Sequence, residues 1–196
     1  MSGFQGKQVA SAVIDRARGG DTRAHEVIFR TFSAPVYTLA LRMTGSASTA
    51  EDLLQDTFIE VMRSIGRYRA DASLGTWIRT VAVSKCLMYM RSAWRRRATL
   101  FRDLPDDHHA SIGLTSLEAP VQLRLDLERA LTRLPDVSRI VVLLHDVEGY
   151  THREIAELMG MSVSFSKSQL ARAHGRLRKT LASHSENALD RHEHAT

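Results

Sequence analysis

Lys167, Arg172, Arg176 and Lys179 fall within Val163–Thr180, a stretch holding five cations and no acid. Ser164, Phe165 and Ser168 lie among them, and together these side chains could meet phosphate oxygens and base edges. A second group runs from Arg63 to Arg102, with ten cations against one acid, Asp71. Tyr68 sits there between Arg67 and Arg69, and aromatic rings beside guanidinium groups suit stacking on unpaired bases. The third group has the opposite sign. Glu51, Asp52, Asp56 and Glu60 lie between Gly45 and Met62 with no base among them, which suits a basic partner.

Catalytic and metal chemistry has little to build on. His108-His109 beside Asp106 and Asp107 is the one dense histidine cluster, and no His-x-x-x-His pair has a third ligand close by. Cys86 is the single cysteine, so neither an internal disulfide nor a zinc site on cysteine pairs can form, and a small buried thiol is expected. The reading is a non-enzyme without metal or cofactor. Net charge is +5, and 23 of the 27 cations are Arg, which favours bidentate phosphate contacts. No apolar run reaches the about 18 residues of a membrane span, and the polar N-terminus lacks a signal-peptide pattern. A cytoplasmic protein without membrane insertion is expected.

The elements that must position these groups are helices. Four prolines, and no alternating Val/Ile segments between turn signals, predict an all-α chain. Val9, Ala12, Val13 and Ala17 form a helical stripe that stops at Gly19-Gly20. Asp21 or Thr22 caps a helix carrying Ala24, Val27, Ile28 and Phe32. Pro35 is expected to start another helix, through Met43 to a stop at Gly45. Ser48 and Glu51 fit a capping box for a helix from about Thr49 to Ile65. Residues 67–75 read as a loop, and a long helix is expected from about Thr76 to Arg97. Beyond a proline- and glycine-containing aperiodic stretch, helices are expected from Val121 to Leu134, Val137 to Val147, His152 to Met159 and Val163 to Leu181.

Two of these helices form a helix-turn-helix. Thr151 caps the first with Glu154 as box partner, and Ile155, Ala156 and Met159 make its buried stripe. Gly160 takes the turn, Met161 plugs the core and Ser162 caps the second helix. Such a unit offers its second helix to the DNA major groove. At 100° per residue, Val163, Ser166, Leu170, Ala173, His174, Leu177 and Leu181 face inward. Phe165, Ser168, Arg172 and Lys179 face outward, flanked by Ser164 and Arg176.

The same geometry sorts the N-terminal helices. Leu54, Thr57, Phe58, Val61 and Ile65 point to the core. Asp52, Asp56, Ile59 and Arg63 point away, with Gln55 and Glu60 beside them: an acidic surface interrupted by an apolar side chain. In the long helix Val83, Leu87, Met90 and Trp94 are the expected core. Trp77, Thr80, Val81, Ser84, Met88, Arg91 and Arg95 lie on the other side; Trp77 is nevertheless expected to be a core residue, and Tyr68 is open between stacking on bases and packing in the core.

The layout resembles the extracytoplasmic-function group of bacterial sigma factors. The resemblance rests on Tyr37-x-Leu-Ala-Leu-Arg-Met-Thr-Gly, Ala50-Glu-Asp-Leu-Leu-Gln-Asp-Thr-Phe-Ile-Glu-Val and Thr76-Trp-Ile-Arg-Thr-Val-Ala. It rests also on Leu134-Pro-Asp-Val-Ser-Arg-Ile-Val-Val-Leu-Leu and Glu148-Gly-Tyr-Thr-His-Arg-Glu-Ile-Ala-Glu. It implies that Asp52, Gln55, Asp56, Ile59 and Glu60 dock on core RNA polymerase. It implies that Arg67, Tyr68, Arg69, Thr80, Ser84, Lys85, Met88, Arg91 and Arg95 bind and help melt the −10 promoter element. Thr151, Arg153, Ser164, Phe165, Lys167, Ser168, Arg172, Arg176 and Lys179 would serve the −35 element. An acidic linker with Asp103, Asp106 and Asp107 would thread the polymerase.

The implied organisation is two small helical domains, 1–99 and 118–182, joined by a flexible linker, 100–117, with a disordered tail, 183–196. The partners implied are core RNA polymerase, promoter DNA and an anti-sigma factor, the free protein being a monomer. Departures from the family pattern are Ser84, where Asn is common, and Phe165, Ser166 and Gln169 in the recognition helix. Ser166 replaces an inward apolar residue, so it should loosen the packing or bond to the preceding turn.

Overall fold

Asp21 opens the element around which the N-terminal unit is built. Its carboxylate accepts the Arg23 amide at 2.8 Å, satisfying one of the donors that a helix start leaves unpaired. A computed structural model describes the backbone of residues 3–100 and 127–193, and side chains over 3–94 and 127–181. The chain divides into two compact helical units on either side of residues 104 and 105. Among the described residues there is no strand.

The first unit holds α1 (Ser11–Arg18), α2 (Thr22–Thr44), α3 (Ala47–Ser64), a 3-10 turn (Ile65–Arg67) and α4 (Leu74–Leu100). Helix α2 packs on α1, α3 and α4, and α3 packs on α4. Ile28, Phe32, Val36, Met43, Val61, Ile78 and Val83 are fully buried between them. Each such side chain contributes about 1.5–3 kcal/mol, which is what holds so small a bundle together.

The second unit holds α5 (described over 127–132), α6 (Asp136–Val142), a π turn (Leu143–Val147), α7 (His152–Met159) and α8 (Val163–Glu193). Helices α6 and α7 both pack on α8. The core is Ile140, Val141, Leu143, Leu144, Ile155 and Ala173.

Several local expectations need correction. Pro35 does not start a helix but lies buried inside α2, which is continuous from Thr22 to Thr44. Packing on both sides overrides a mid-helix proline, a residue that otherwise costs about 3 kcal/mol. The cap of α3 is Ser46, whose Oγ accepts the Thr49 amide at 3.3 Å. Ser48 lies inside the first turn, and its Oγ is 3.2 Å from that of Ser46. Helix α4 begins at Leu74, with Ser73 Oγ accepting the Thr76 amide at 3.1 Å. Of the Val9–Ala17 stripe only Ala17 is buried, and in α3 Leu53 is buried while Leu54 is half-buried.

The helix expected over Val137–Val147 widens into a π turn at Leu143, where the Glu148 amide reaches back to the Leu143 carbonyl at 2.9 Å. Val163, expected to face inward, is 41% exposed. Met161 is only half-buried. The backbone of α8 is helical from Val163 to Glu193, and no proline or glycine interrupts residues 183–193. The linker, with Asp103, Asp106, Asp107, His108 and His109, lies outside the described residues, as does the side chain of Arg95.

Candidate nucleic-acid interface

The helix-turn-helix is assembled from local bonds. Thr151 Oγ1 accepts the Glu154 amide at 3.2 Å, and Glu154 Oε2 accepts the Thr151 amide at 2.7 Å, closing the expected box. Gly160 ends α7 in the left-handed region at φ 66°, and the Met161 amide then reaches the Ala156 carbonyl at 3.0 Å. Ser162 Oγ accepts the Phe165 amide at 3.1 Å and starts α8.

The outer face of α8 is as expected. Ser164, Phe165, Lys167, Ser168, Arg172, Arg176 and Lys179 are all exposed. The Ser168 hydroxyl donates to the Ser164 carbonyl at 2.9 Å. Thr151 and Arg153 are half-engaged at the edge. Thr151 Oγ1 donates to Glu154 Oε2 at 2.7 Å, and Arg153 Nε lies 3.3 Å from Glu157 Oε1. That exposed pair is worth at most about 1 kcal/mol, so Arg153 is free to exchange it for a phosphate.

The inner face holds what sequence reasoning missed. Ser166 is fully buried and its Oγ lies 3.0 Å from His152 Nδ1 on α7, a side-chain bond across the motif rather than one to the preceding turn. Gln169 is also buried, and its Oε1 accepts from Ser138 Oγ on α6 at 2.8 Å. His152 stacks on His145, with ring centroids 4.5 Å apart. His145 Nδ1 lies 2.8 Å from Asp146 Oδ1, and His174 Nε2 lies 2.6 Å from Asp146 Oδ2. The π turn, α7 and α8 are thus tied by one polar chain. Burial, and then the charges of His145 and Lys167, push the His152 pKa down against a smaller pull from Asp146. Burial would raise the carboxyl of Asp146, but hydrogen bonds from His174 and His145 outweigh it and hold it below the usual value. Ser166 and His174 at inward wheel positions were the only sequence signal for this arrangement.

In the first unit Asp52, Gln55, Asp56 and Ile59 are exposed on one face of α3, and Ile59 is 49% exposed. Glu60 is half-buried at its edge, and its Oε2 lies 3.3 Å from Lys85 Nζ on α4. On α4, Thr80, Ser84, Met88 and Arg91 form an exposed line. Trp77 is half-buried, with its ring 5.4 Å from that of Tyr68.

Arg67 and Arg69 are exposed in the loop before α4, but Tyr68 is not. Its ring is buried, its hydroxyl donates to the Ala72 carbonyl at 2.7 Å, and its own carbonyl accepts from Arg18 Nη2 at 2.6 Å. Tyr68 therefore holds the loop in place. Ala70, two residues on, has φ 60°, a strained value for a residue with a Cβ. Cys86 is buried in the core, and burial pushes its thiol up to about 12. Among the described residues no group of His, Cys, Asp or Glu could hold a metal, and no helix could cross a membrane.

Comparison with known proteins falls on these same elements. Residues 28–96 match the family "Sigma-70 region 2", and residues 124–177 match "Sigma-70, region 4". The chain is 31% identical over 176 residues to RNA polymerase sigma factor CarQ of Myxococcus xanthus, covering 86% of this chain and 95% of that protein. It is 29% identical over 162 residues to ECF RNA polymerase sigma factor SigM of Mycobacterium tuberculosis, covering 83% and 79%. A similar fold occurs in the sigma factor RpoE of Bartonella quintana, solved in complex with the anti-sigma factor NepR. That match has a TM-score of 0.56 and 20% identity, and covers 80% of this chain and 96% of the other. Matched over both helical units by sigma factors, the chain belongs to the extracytoplasmic-function group of the sigma-70 family and directs promoter-specific initiation by RNA polymerase.

Proposed function

We propose a division of labour among three surfaces. The α3 face of Asp52, Gln55, Asp56, Ile59 and Glu60 docks on basic helices of core RNA polymerase. Arg67 and Arg69, with Thr80, Ser84, Lys85, Met88, Arg91 and Arg95 on α4, take up the −10 element as it melts. Tyr68 contributes by holding their loop. The outer face of α8 reads the −35 element through Ser164, Phe165, Lys167, Ser168, Arg172, Arg176 and Lys179, with Thr151 and Arg153 at its edge.

The observation that carries this reading is the contrast between neighbouring helices. An exposed acidic face with one apolar side chain lies on α3, and an exposed hydroxyl-and-cation line lies on α4. An acidic face repels DNA and attracts a basic protein, whereas the α4 line does the reverse. One small unit can therefore hold the enzyme and the promoter at once.

The protein acts in the cytoplasm, without metal, cofactor or catalysis of its own, and is a monomer until it meets the polymerase. An anti-sigma protein restrains it, a reading supported by the RpoE–NepR complex of similar fold. Gel filtration with core polymerase, followed by transcription from a genomic DNA library, tests the whole. Co-elution and discrete promoters are expected. A dimer that binds palindromic DNA and ignores the polymerase would overturn the reading.

A further inference from the structure

We propose that Phe165 reads the 5-methyl group of a thymine in the −35 element. This inference rests on α8 being the helix that enters the major groove. At 100° per residue, Phe165, Ser168, Arg172, Arg176 and Lys179 fall on one stripe about 80° wide, and all five are exposed. The stripe is graded: an aromatic ring, then a hydroxyl, then three cations.

A recognition helix contacts base edges with its N-terminal residues, and cations farther along meet the phosphates. The two leading side chains of this stripe have little capacity to donate hydrogen bonds, although Ser164 and Lys167 flank them. Ser168 spends its proton on the Ser164 carbonyl at 2.9 Å, and the Phe165 side chain has no donor. The ring is 41% exposed, an apolar area that gains by being covered. The major-groove edge presents one apolar group, the methyl on C5 of thymine. A ring at this point of a basic stripe selects that methyl rather than a pattern of donors and acceptors. A cytosine methylated at C5 offers the same group.

The test uses holoenzyme reconstituted from the full chain and core polymerase. It selects upstream elements from a DNA library randomised over that region, and the selected sites are resynthesised with uracil for each thymine in turn. One position should lose about four-fold in affinity, the worth of one buried methyl group. Phe165→Ala should lose a similar factor on thymine DNA and show no further loss on uracil DNA. At a cytosine placed in that position, 5-methylation should restore binding to the unaltered protein only.

Indifference to uracil at every thymine, or a selected element without thymine, overturns the inference while leaving α8 as the reader. A uracil penalty that persists in Phe165→Ala, or a variant that loses polymerase binding but keeps its DNA preference, overturns it too. Absence of any upstream selection removes the reading of α8 and this inference with it.

Discussion

Ser138 Oγ donates to Gln169 Oε1 at 2.8 Å, and both side chains are buried where α6 meets α8. The bond joins the scaffold helix to the recognition helix at the level of its second turn. Ser138→Ala removes the donor and leaves a buried amide oxygen without it, at a cost of about 1–3 kcal/mol. Adding Gln169→Leu removes the orphan as well, and the double variant should regain most of that loss. Urea unfolding of the four proteins in the cycle measures it. A neutral Ser138→Ala would show that Gln169 finds another partner.

The lowered pKa of His152 makes the stability of the second unit depend on pH. The folded state binds this proton less readily than the unfolded chain, whose histidines titrate near pH 6.5. Stability from this group is therefore full above about pH 6.5 and declines as pH falls below it. His145 and Lys167 add to the effect, while Asp146 opposes it. The carboxyl of Asp146, held low by His174 and His145, contributes stability that goes only at still lower pH, below the ordinary carboxylate range. Hydrogen exchange at the Ile155 and Ala173 amides, followed from pH 8 to 5, should show protection falling at the acid end. His152→Gln should flatten that profile.

Asp52→Lys with Asp56→Lys reverses the charge of the α3 face. Both side chains are exposed, so far-UV circular dichroism and thermal stability should stay within about 0.5 kcal/mol of the parent. Co-elution with core polymerase should be lost. Retained binding would move the docking surface elsewhere.

Arg172→Ala should weaken holoenzyme binding at the upstream end alone. If Arg172 meets a phosphate, the log–log salt slope should fall by about one and all sequences should suffer alike. If it meets a guanine, the loss should be about 1–3 kcal/mol at one base position. Footprinting separates the ends, and a defect in opening the −10 region would contradict the assignment.

Gly75 tests the packing beneath the loop. A Cβ there would lie 3.0 Å from Phe32 Cε1 and 3.2 Å from the Phe4 carbonyl oxygen. Phe32 is fully buried, so neither neighbour yields easily. Gly75→Ala should cost about 1–3 kcal/mol in denaturant titration and loosen the segment carrying Arg67 and Arg69.

Sequence alone determined what depends on a single helix. The exposed faces of α3, α4 and α8 follow from 3.6-residue periodicity, and the Thr151–Glu154 box and the Gly160 turn follow from local backbone needs. What it misjudged was the outcome of competition between local signals and packing. Pro35 reads as a helix start, yet burial against neighbouring helices carries α2 through it. Ser48 reads as the cap of α3, yet Ser46 is the serine left outside the helix, with its Oγ accepting the Thr49 amide at 3.3 Å.

The polar ties of the recognition helix were decided by tertiary structure only. Ser166 stands out in the sequence as a polar residue on an inward face, and Gln169 only as a departure from the family pattern. Their partners, His152 and Ser138, are 14 and 31 residues away. No local periodicity links such positions. The folding of α6, the π turn and α7 against α8 brings them within bonding distance, and burial then makes each unpaired polar atom costly enough to require the match.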